Sequence, residues 1–404
     1  MYLHGRANRR SLPVEVYIQG GGALGAFPAG AIESLLSHPE IDLVGAGGTS
    51  SGAVTARALI NGYTHGLANG GKDAARRGAV ENVKLVWKKL IEFQAEKLPL
   101  WYTAGNIYFS HLPSHLRHSF RKAAREHGRL HQSESPLLAF YRFLNKQGKD
   151  LCPTAGPDAP FLAVNTTLYQ DGMSLWKATP KDERVFYLNG LSRDQQQRAV
   201  AASGTLDFSL PVEATGDGTL HHDGAFSSAI PDPLANAHRC YEEGRTMIIL
   251  RTRPTNAFRS EDRPETSENG IRTHFNAIMD QSVKDIRKAF PKLKLIVIEP
   301  ASVEPDTDHF LNNEMRFDTE SFQQRYAAGK MVAEHVLEQE LGLTPQQAPQ
   351  QEIKTSRYSG DHFIGDAMRA AANMAFAPQA IMAAMFTSAF SGANTAFGLQ
   401  QAGL

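Results

Sequence analysis

Residues 14–19, Val-Glu-Val-Tyr-Ile-Gln, alternate in polarity and are rich in β-formers, which predicts a strand. The run ends in Gly20-Gly21-Gly22-Ala23-Leu24-Gly25. Pro28 then suits the first turn of a helix, and Ile32, Leu35 and Leu36 supply its apolar face at i, i+3, i+4. A second apolar run, Ile41-Asp42-Leu43-Val44-Gly45-Ala46, predicts a short buried strand. It passes through Gly48-Thr49-Ser50-Ser51-Gly52 into a helical stretch, Ala53–Ile60. Two successive units of strand, glycine-bearing turn and helix predict a parallel α/β sheet. Its turns gather at the carboxyl ends of the strands.

Residues 61–73 are rich in Gly and Asn and read as a loop. Val83, Val86, Trp87, Leu90 and Ile91 mark an amphipathic helix. Further strands are predicted at 161–167, 246–250 and 293–298, and helices near 270–289 and 319–341. Between 98 and 135, Trp101, Tyr102, Tyr108 and Phe109 precede His115, Arg117, His118, Arg121 and Lys122. That mixture reads as a surface helix with a solvated basic face, or as a cap touching lipid headgroups. Residues 344–352 are rich in Pro and Gln and read as a linker. Beyond Arg369 the chain is uncharged and punctuated by Met374, Phe376, Ile381, Met382, Met385, Phe386, Phe390 and Phe397. This tail is too polar to span a membrane. It is expected to pack on the main domain or a partner subunit, or to lie shallowly on a bilayer surface through residues 370–404.

A length of 404 residues fits one large α/β domain with an appended region. Lys+Arg and Asp+Glu are both 42, and a net charge of zero argues against a protein built around nucleic acid. Cys152 and Cys240 form neither a disulfide framework nor a metal-ligand spacing. No apolar stretch follows Arg6, Arg9 and Arg10 before Val14, so no secretory signal is expected. No long uncharged run of high hydropathy predicts a transmembrane helix. The expected location is cytoplasmic, at most peripheral at the inner face of a membrane.

Three motifs carry candidate chemistry. Gly20, Gly22 and Gly25 fit G-x-G-x-x-G after a strand and before a helix. That pattern serves a dinucleotide, or it points free N–H groups at a developing oxyanion. A dinucleotide site expects an acid ending the second strand, whereas Glu40 and Asp42 precede that strand. The oxyanion use is therefore preferred, with Gly20, Gly21 and Gly22 as donors. Gly48 and Gly52 flank Ser50 in a G-x-S-x-G, which matches a serine presented on a sharp strand-to-helix turn. The third motif is Asp223-Gly224-Ala225, preceded by His221-His222. Most Asp-Gly pairs are ordinary turns, and Asp217-Gly218 reads as one, at a hairpin tip over 216–219.

In this order, together with Ala202-Ser203-Gly204-Thr205-Leu206 and Pro211-Val212, the motifs resemble the patatin-like phospholipases. The resemblance covers residues 15–236, with weaker echoes toward 340. It implies a three-layer α/β/α sandwich around a mostly parallel sheet, and a catalytic core over 15–236. The rest of the α/β domain would occupy 237–343, and a linker and tail 344–404. It also implies a Ser–Asp dyad, with Ser50 as nucleophile and Asp223 as base. Gly20, Gly21, Gly22 and Gly25 would bind the oxyanion and substrate, and Gly48, Gly52, Gly224 and Ala225 would frame the dyad. The implied substrate is a lipid ester, met free or at a membrane surface, and the implied reaction needs no metal or organic cofactor. Homo-oligomerisation stays open. Leu24 stands where the family often has Arg or Lys, which widens the substrate to neutral esters and acyl thioesters. A Ser–Asp–His triad drawing on His221, His222, His238, His274, His309, His335 or His362 is the alternative mechanism. A partner- or ligand-regulated membrane-disrupting lipase is an alternative function. A nucleotide-binding protein using the glycine loop and a non-enzymatic binding protein are lesser ones.

Overall fold

Alternation along β1 (Leu12–Ile18) decides which helices cover which face of the sheet. Val14, Val16 and Ile18 enter one core, while Tyr17 enters the other. β7 (Thr246–Leu250) divides its side chains the same way, Ile248 and Leu250 against Met247 and Ile249. The first face is covered by α1 (Ala26–Ser37), α2 (Ser51–Lys97), α3 (Pro136–Lys146), α4 (Arg193–Ser203) and α7 (Thr319–Leu341). The second is covered by α5 (Pro233–Glu242) and α6 (Ser267–Ala289). Each fully buried Ile, Leu or Val in these layers contributes roughly 1.5–3 kcal/mol. The result is the three-layer α/β/α sandwich.

The computed structural model describes residues 11–97, 135–146, 155–170, 175–205, 212–214, 216–255, 267–301 and 317–343. The expectations for the aromatic-basic segment, save its last residue, and for the linker and tail lie outside these residues, as do His309 and His362. The described residues belong to one compact unit, Met1–Gln346. Among them, no helix is long and apolar enough to cross a membrane.

The remaining strands are β2 (Ile41–Gly48), β3 (Phe161–Leu168), β4 (Glu183–Tyr187), β5 (Val212–Glu213), β6 (Leu220–Asp223) and β8 (Leu295–Ile298). Their order is β5-β6-β3-β2-β1-β7-β8, with β4 also paired to β3. β1, β2, β3, β7 and β8 run parallel; β4 and β6 pair antiparallel to β3. The register on β3 matters most. Gly48 of β2 lies opposite Val164, and Asp223 of β6 lies opposite Thr166. β4 occupies the other edge along both stretches, opposite Val164 and Thr166 alike. β2 and β6 therefore share one edge of β3 and approach each other end to end. Their ends lie two residue steps apart along β3, about 7 Å at ~3.3 Å per residue. The chain turns out of β2 into α2 in that gap.

The loop expected over 61–73 is instead mostly helical. α2 runs on through Asn69 and breaks at Gly70–Gly71, where Gly71 has φ 72°. Gly62 and Gly66 are packing residues. A Cβ on either would strike the backbone of the returning arm, at Gly78 and Ala74 respectively. Glycines that look like breakers thus let the two arms of α2 lie close together. α1 and α7 meet in the same way. A Cβ on Gly30 would strike the Tyr326 carbonyl, and one on Gly329 would strike the Phe27 carbonyl. The hairpin tip is as expected, with Asp217 Oδ1 accepting from the Thr219 N–H at 2.9 Å.

Candidate active site

Ser50 follows the last strand residues of β2 in a turn with no room for side chains on either flank. A Cβ on Gly48 would collide with the Gly52 carbonyl, and one on Gly52 with the Ile18 carbonyl. Ser50 itself has φ 56°, the left-handed region, which costs a non-glycine residue about 1–3 kcal/mol. The neighbouring bonds hold it there. Its N–H donates to Ser203 Oγ at 2.9 Å, Thr49 N–H to the Ile18 carbonyl at 3.2 Å, and Gly52 N–H to the Thr49 carbonyl at 2.8 Å. Thr49 is wholly buried, whereas Ser50 is partly exposed. The turn lifts one hydroxyl toward solvent and buries its neighbours.

Asp223 ends β6 and is 1% exposed. Its N–H donates to the Thr205 carbonyl at 2.8 Å, and its own carbonyl accepts from the Thr167 hydroxyl at 2.8 Å. Its Oδ1 accepts from the Ala225 N–H at 2.9 Å, and the Ser50 side chain lies beside the carboxyl. Burial pushes the carboxyl up to about 7, and the Ala225 and Ser50 bonds oppose the rise. Gly224 presses on β3, where a Cβ would strike the Asn165 carbonyl. The segment 203–205, legible only through the resemblance, braces both halves: Ser203 holds the serine turn and Thr205 the aspartate.

The glycine loop borders the same spot. A Cβ on Gly20 would lie 2.7 Å from Ser50 Cβ, so this backbone touches the serine. Gly22, at φ 55°, opens the short turn Gly22–Gly25, and Leu24 N–H donates to the Gly21 carbonyl at 3.1 Å. Among the described residues, none accepts from the N–H groups of Gly20, Gly21 or Gly22. Thr252, just past β7, braces the loop. Its hydroxyl donates to the Gly20 carbonyl at 2.8 Å, and its N–H to Gln19 Oε1 at 3.0 Å. Gly25 is placed differently from the other three. It is buried against α2, where a Cβ would lie 2.7 Å from the Trp87 ring.

Among the described residues, the candidate histidines make other contacts or lie on the surface. His221 bonds Thr166 through Nδ1 and Thr219 through Nε2, both at 2.9 Å, and burial lowers it to about 4. His222 Nδ1 contacts the Thr205 carbonyl at 3.2 Å. His274 bonds the Phe226 carbonyl, His238 lies beside Glu242 on the surface, and His335 is exposed on α7. Asp42, the acid weighed for a nucleotide ribose, lies at the amino end of β2 with Lys72 at 2.8 Å. The glycine loop lies at the opposite end of the sheet. No cluster of metal-ligating side chains occurs among the described residues.

Asn165 escapes the sequence reading. It is a fully buried amide in β3. Its Oδ1 accepts from the Thr49 hydroxyl at 2.5 Å, and its Nδ2 donates to the carbonyls of Ser228 at 3.1 Å and Gly224 at 3.4 Å. The only signal was an amide in an otherwise apolar and hydroxylated strand. Glu183, at the start of β4, accepts from the Asp232 N–H at 3.1 Å and lies near the Asn165 and Ser228 side chains. Burial raises its carboxyl to about 7.

No protein-family model and no curated protein matches this chain. Several solved structures are similar to it at a distance. VipD from Legionella pneumophila is 14% identical, over 83% of this chain and 68% of that one, at a TM-score of 0.33. A chain of the heterodimeric ExoU–SpcU complex from the type III secretion system of Pseudomonas aeruginosa is 14% identical. The match covers 83% of this chain and 53% of that one, at a TM-score of 0.30. A second ExoU–SpcU structure, full-length, gives 13% identity, 83% and 54%, and 0.27. This chain spans about two thirds of the first and about half of the other two.

Proposed function

We propose that this chain is a serine acyl hydrolase that cleaves carboxylic esters of lipids through Ser50 and Asp223. One arrangement carries the reading: a partly exposed serine in a left-handed turn sits beside a buried carboxyl and lowers its pKa against the rise that burial causes. A serine hydroxyl needs a base within hydrogen-bond reach to become a nucleophile. A carboxyl near 7 is matched to that task at neutral pH, whereas one near its ordinary 3.8 is a poor base.

In the first half-reaction, Ser50 Oγ adds to the acyl carbonyl carbon while Asp223 takes the hydroxyl proton. The negative charge that forms on the carbonyl oxygen is met by the glycine-loop N–H groups. One such donor is typically worth about 3 kcal/mol of barrier. Collapse breaks the carbon–oxygen bond to the alcohol, which leaves with the proton held by Asp223. In the second half-reaction water adds to the acyl-serine ester, giving its proton to the same carboxylate. Ser50 then departs as the leaving group and recovers a proton. The histidine engagements described above favour a dyad over a triad.

The lipid ester follows from the family resemblance. Leu24, in place of a cation, keeps neutral esters and acyl thioesters in view. A fluorophosphonate probe tests the chemistry. Wild type is expected to label at one site, Ser50→Ala not at all, and Asp223→Asn at least about 100-fold more slowly. Labelling that survives Ser50→Ala would place the nucleophile elsewhere. Release of fatty acid from phosphatidylcholine vesicles, compared with p-nitrophenyl and acyl-coenzyme A substrates, ranks the substrate class.

A further inference from the structure

We propose that Asn165 is the positioning residue of the dyad, aligning Ser50 with Asp223 by bonding the residue before the serine and the turn after the aspartate. This rests on the Ser50–Asp223 reading above. Ser50 and Asp223 lie 173 positions apart and on different strands. Their shared neighbour is β3, and Asn165 lies on it between Val164, opposite Gly48, and Thr166, opposite Asp223. The amide spans the gap where β2 and β6 face each other.

The chemistry of a primary amide suits this place. An amide has an acceptor on one side and two donor hydrogens on the other. The serine turn presents a donor, the Thr49 hydroxyl, at 2.5 Å from Oδ1. The aspartate turn presents acceptors, the carbonyls of Ser228 and Gly224 at 3.1 and 3.4 Å from Nδ2. Glu183 lies nearby and is held by the Asp232 N–H at 3.1 Å. Thr49 and Asn165 are wholly buried and Ser228 nearly so, so no water competes for these bonds. A carboxylate in place of the amide would turn an oxygen toward two carbonyl oxygens. A leucine would take the Asn165 partner from the Thr49 hydroxyl and the Ser228 carbonyl, while the Gly224 carbonyl keeps the Ser227 and Ser228 N–H groups.

The consequence is kinetic. A shift of about 1 Å between nucleophile and base costs on the order of 100-fold in rate, while the substrate pocket is untouched. Thr49 offers the cleanest test, because valine removes its hydroxyl at nearly constant shape and serine keeps it. The experiment measures phosphonylation of Ser50 by the fluorophosphonate probe, kcat and KM on a p-nitrophenyl ester, and the thermal midpoint. Thr49→Val is expected to lose at least about tenfold in labelling rate and kcat at an unchanged KM, and Thr49→Ser to stay within about threefold of wild type. Thr49→Val labelling as fast as wild type, or Thr49→Ser as slow as Thr49→Val, overturns the proposal. Should Thr49→Val fail to fold, Asn165→Asp carries the test. A folded, at least about tenfold slower Asn165→Asp supports positioning; a folded variant at wild-type rate overturns it. Loss of the fold in both variants also overturns it, in favour of a purely structural role. Failure of the underlying reading looks different: wild type itself would not label, or would label at a residue other than Ser50.

Discussion

As the proposed base, Asp223 sets the pH behaviour of the molecule at the scale of a single residue. With its carboxyl near 7, the base is protonated below that pH and free above it. The profile of kcat/KM should therefore rise with unit slope on the acid side and level off above about 7. Glu183 titrates in the same range, so the two carboxyls must be told apart. The limb belongs to Asp223 and is expected to persist in Glu183→Gln; its disappearance there would assign it to Glu183. Stability moves the opposite way. A folded-state carboxyl raised above its ordinary value binds its proton more tightly folded than unfolded. Its contribution thus declines as pH rises from the ordinary range to about 7 and is flat beyond. Asp223→Asn removes that decline. Above pH 7 the variant should be the more stable protein, by at most on the order of 4 kcal/mol, in urea melts across the pH range. Equal pH slopes in the two proteins would contradict the burial argument.

Helices and strands were unequally legible. β1, β2, β3, β7 and α7 announce themselves by periodicity, and the paired strand–turn–helix units reveal the parallel sheet. α4 carried a readable signal that periodicity misses. Ser192 and Gln195 form a capping box, with Gln195 N–H donating to Ser192 Oγ at 3.3 Å. β4 is legible only in three dimensions, since its residues Glu183–Tyr187 are only partly covered and follow no apolar alternation. The loop expected over 61–73 fails for a related reason. Glycine weakens a helix locally, but here it allows a close contact whose partner lies far along the chain. The site follows the same division. Ser50 and Asp223 stand in local motifs, while Asn165, Ser203 and Thr252 matter through long-range bonds that no local pattern encodes. The contact between α1 and α7 gives a test at this scale. Gly30→Ala would drive a methyl into the Tyr326 carbonyl. It should destabilise the fold by about 1–3 kcal/mol, read as a lower urea midpoint.

The whole molecule is tied together by a charge in the middle of the sheet. Glu15 of β1 is completely buried and accepts from Arg239 of α5 and from Arg245, just before β7, each at 2.5 Å. Tyr17 donates to the same carboxylate, and Arg239 stacks over Phe161 of β3, 3.8 Å from its ring centre. Burial alone would raise Glu15, but these donors outweigh it and hold the carboxyl below its ordinary value. The network stabilises the fold above that ordinary range and is lost as pH falls through the depressed value. Glu15→Ala leaves Arg239 without its carboxylate, while Arg245 keeps its ion pair with Glu243, and should cost about 3 kcal/mol by urea denaturation. A loss below about 1 kcal/mol would mean that water already reaches the network.

The meeting of β2 and β6 on one edge of β3 also bears on synthesis. A nascent polypeptide that has emerged only as far as β3 carries the proposed nucleophile but not the proposed base, and the edge awaiting β6 is still bare. Under the proposed dyad such an intermediate should be chemically silent however well its first half is folded. Ribosome-stalled chains ending before Leu220 should ignore a fluorophosphonate, and reactivity should appear only once Asp223 has cleared the exit tunnel. On the proposed reading, activity waits for the two strands to meet on β3.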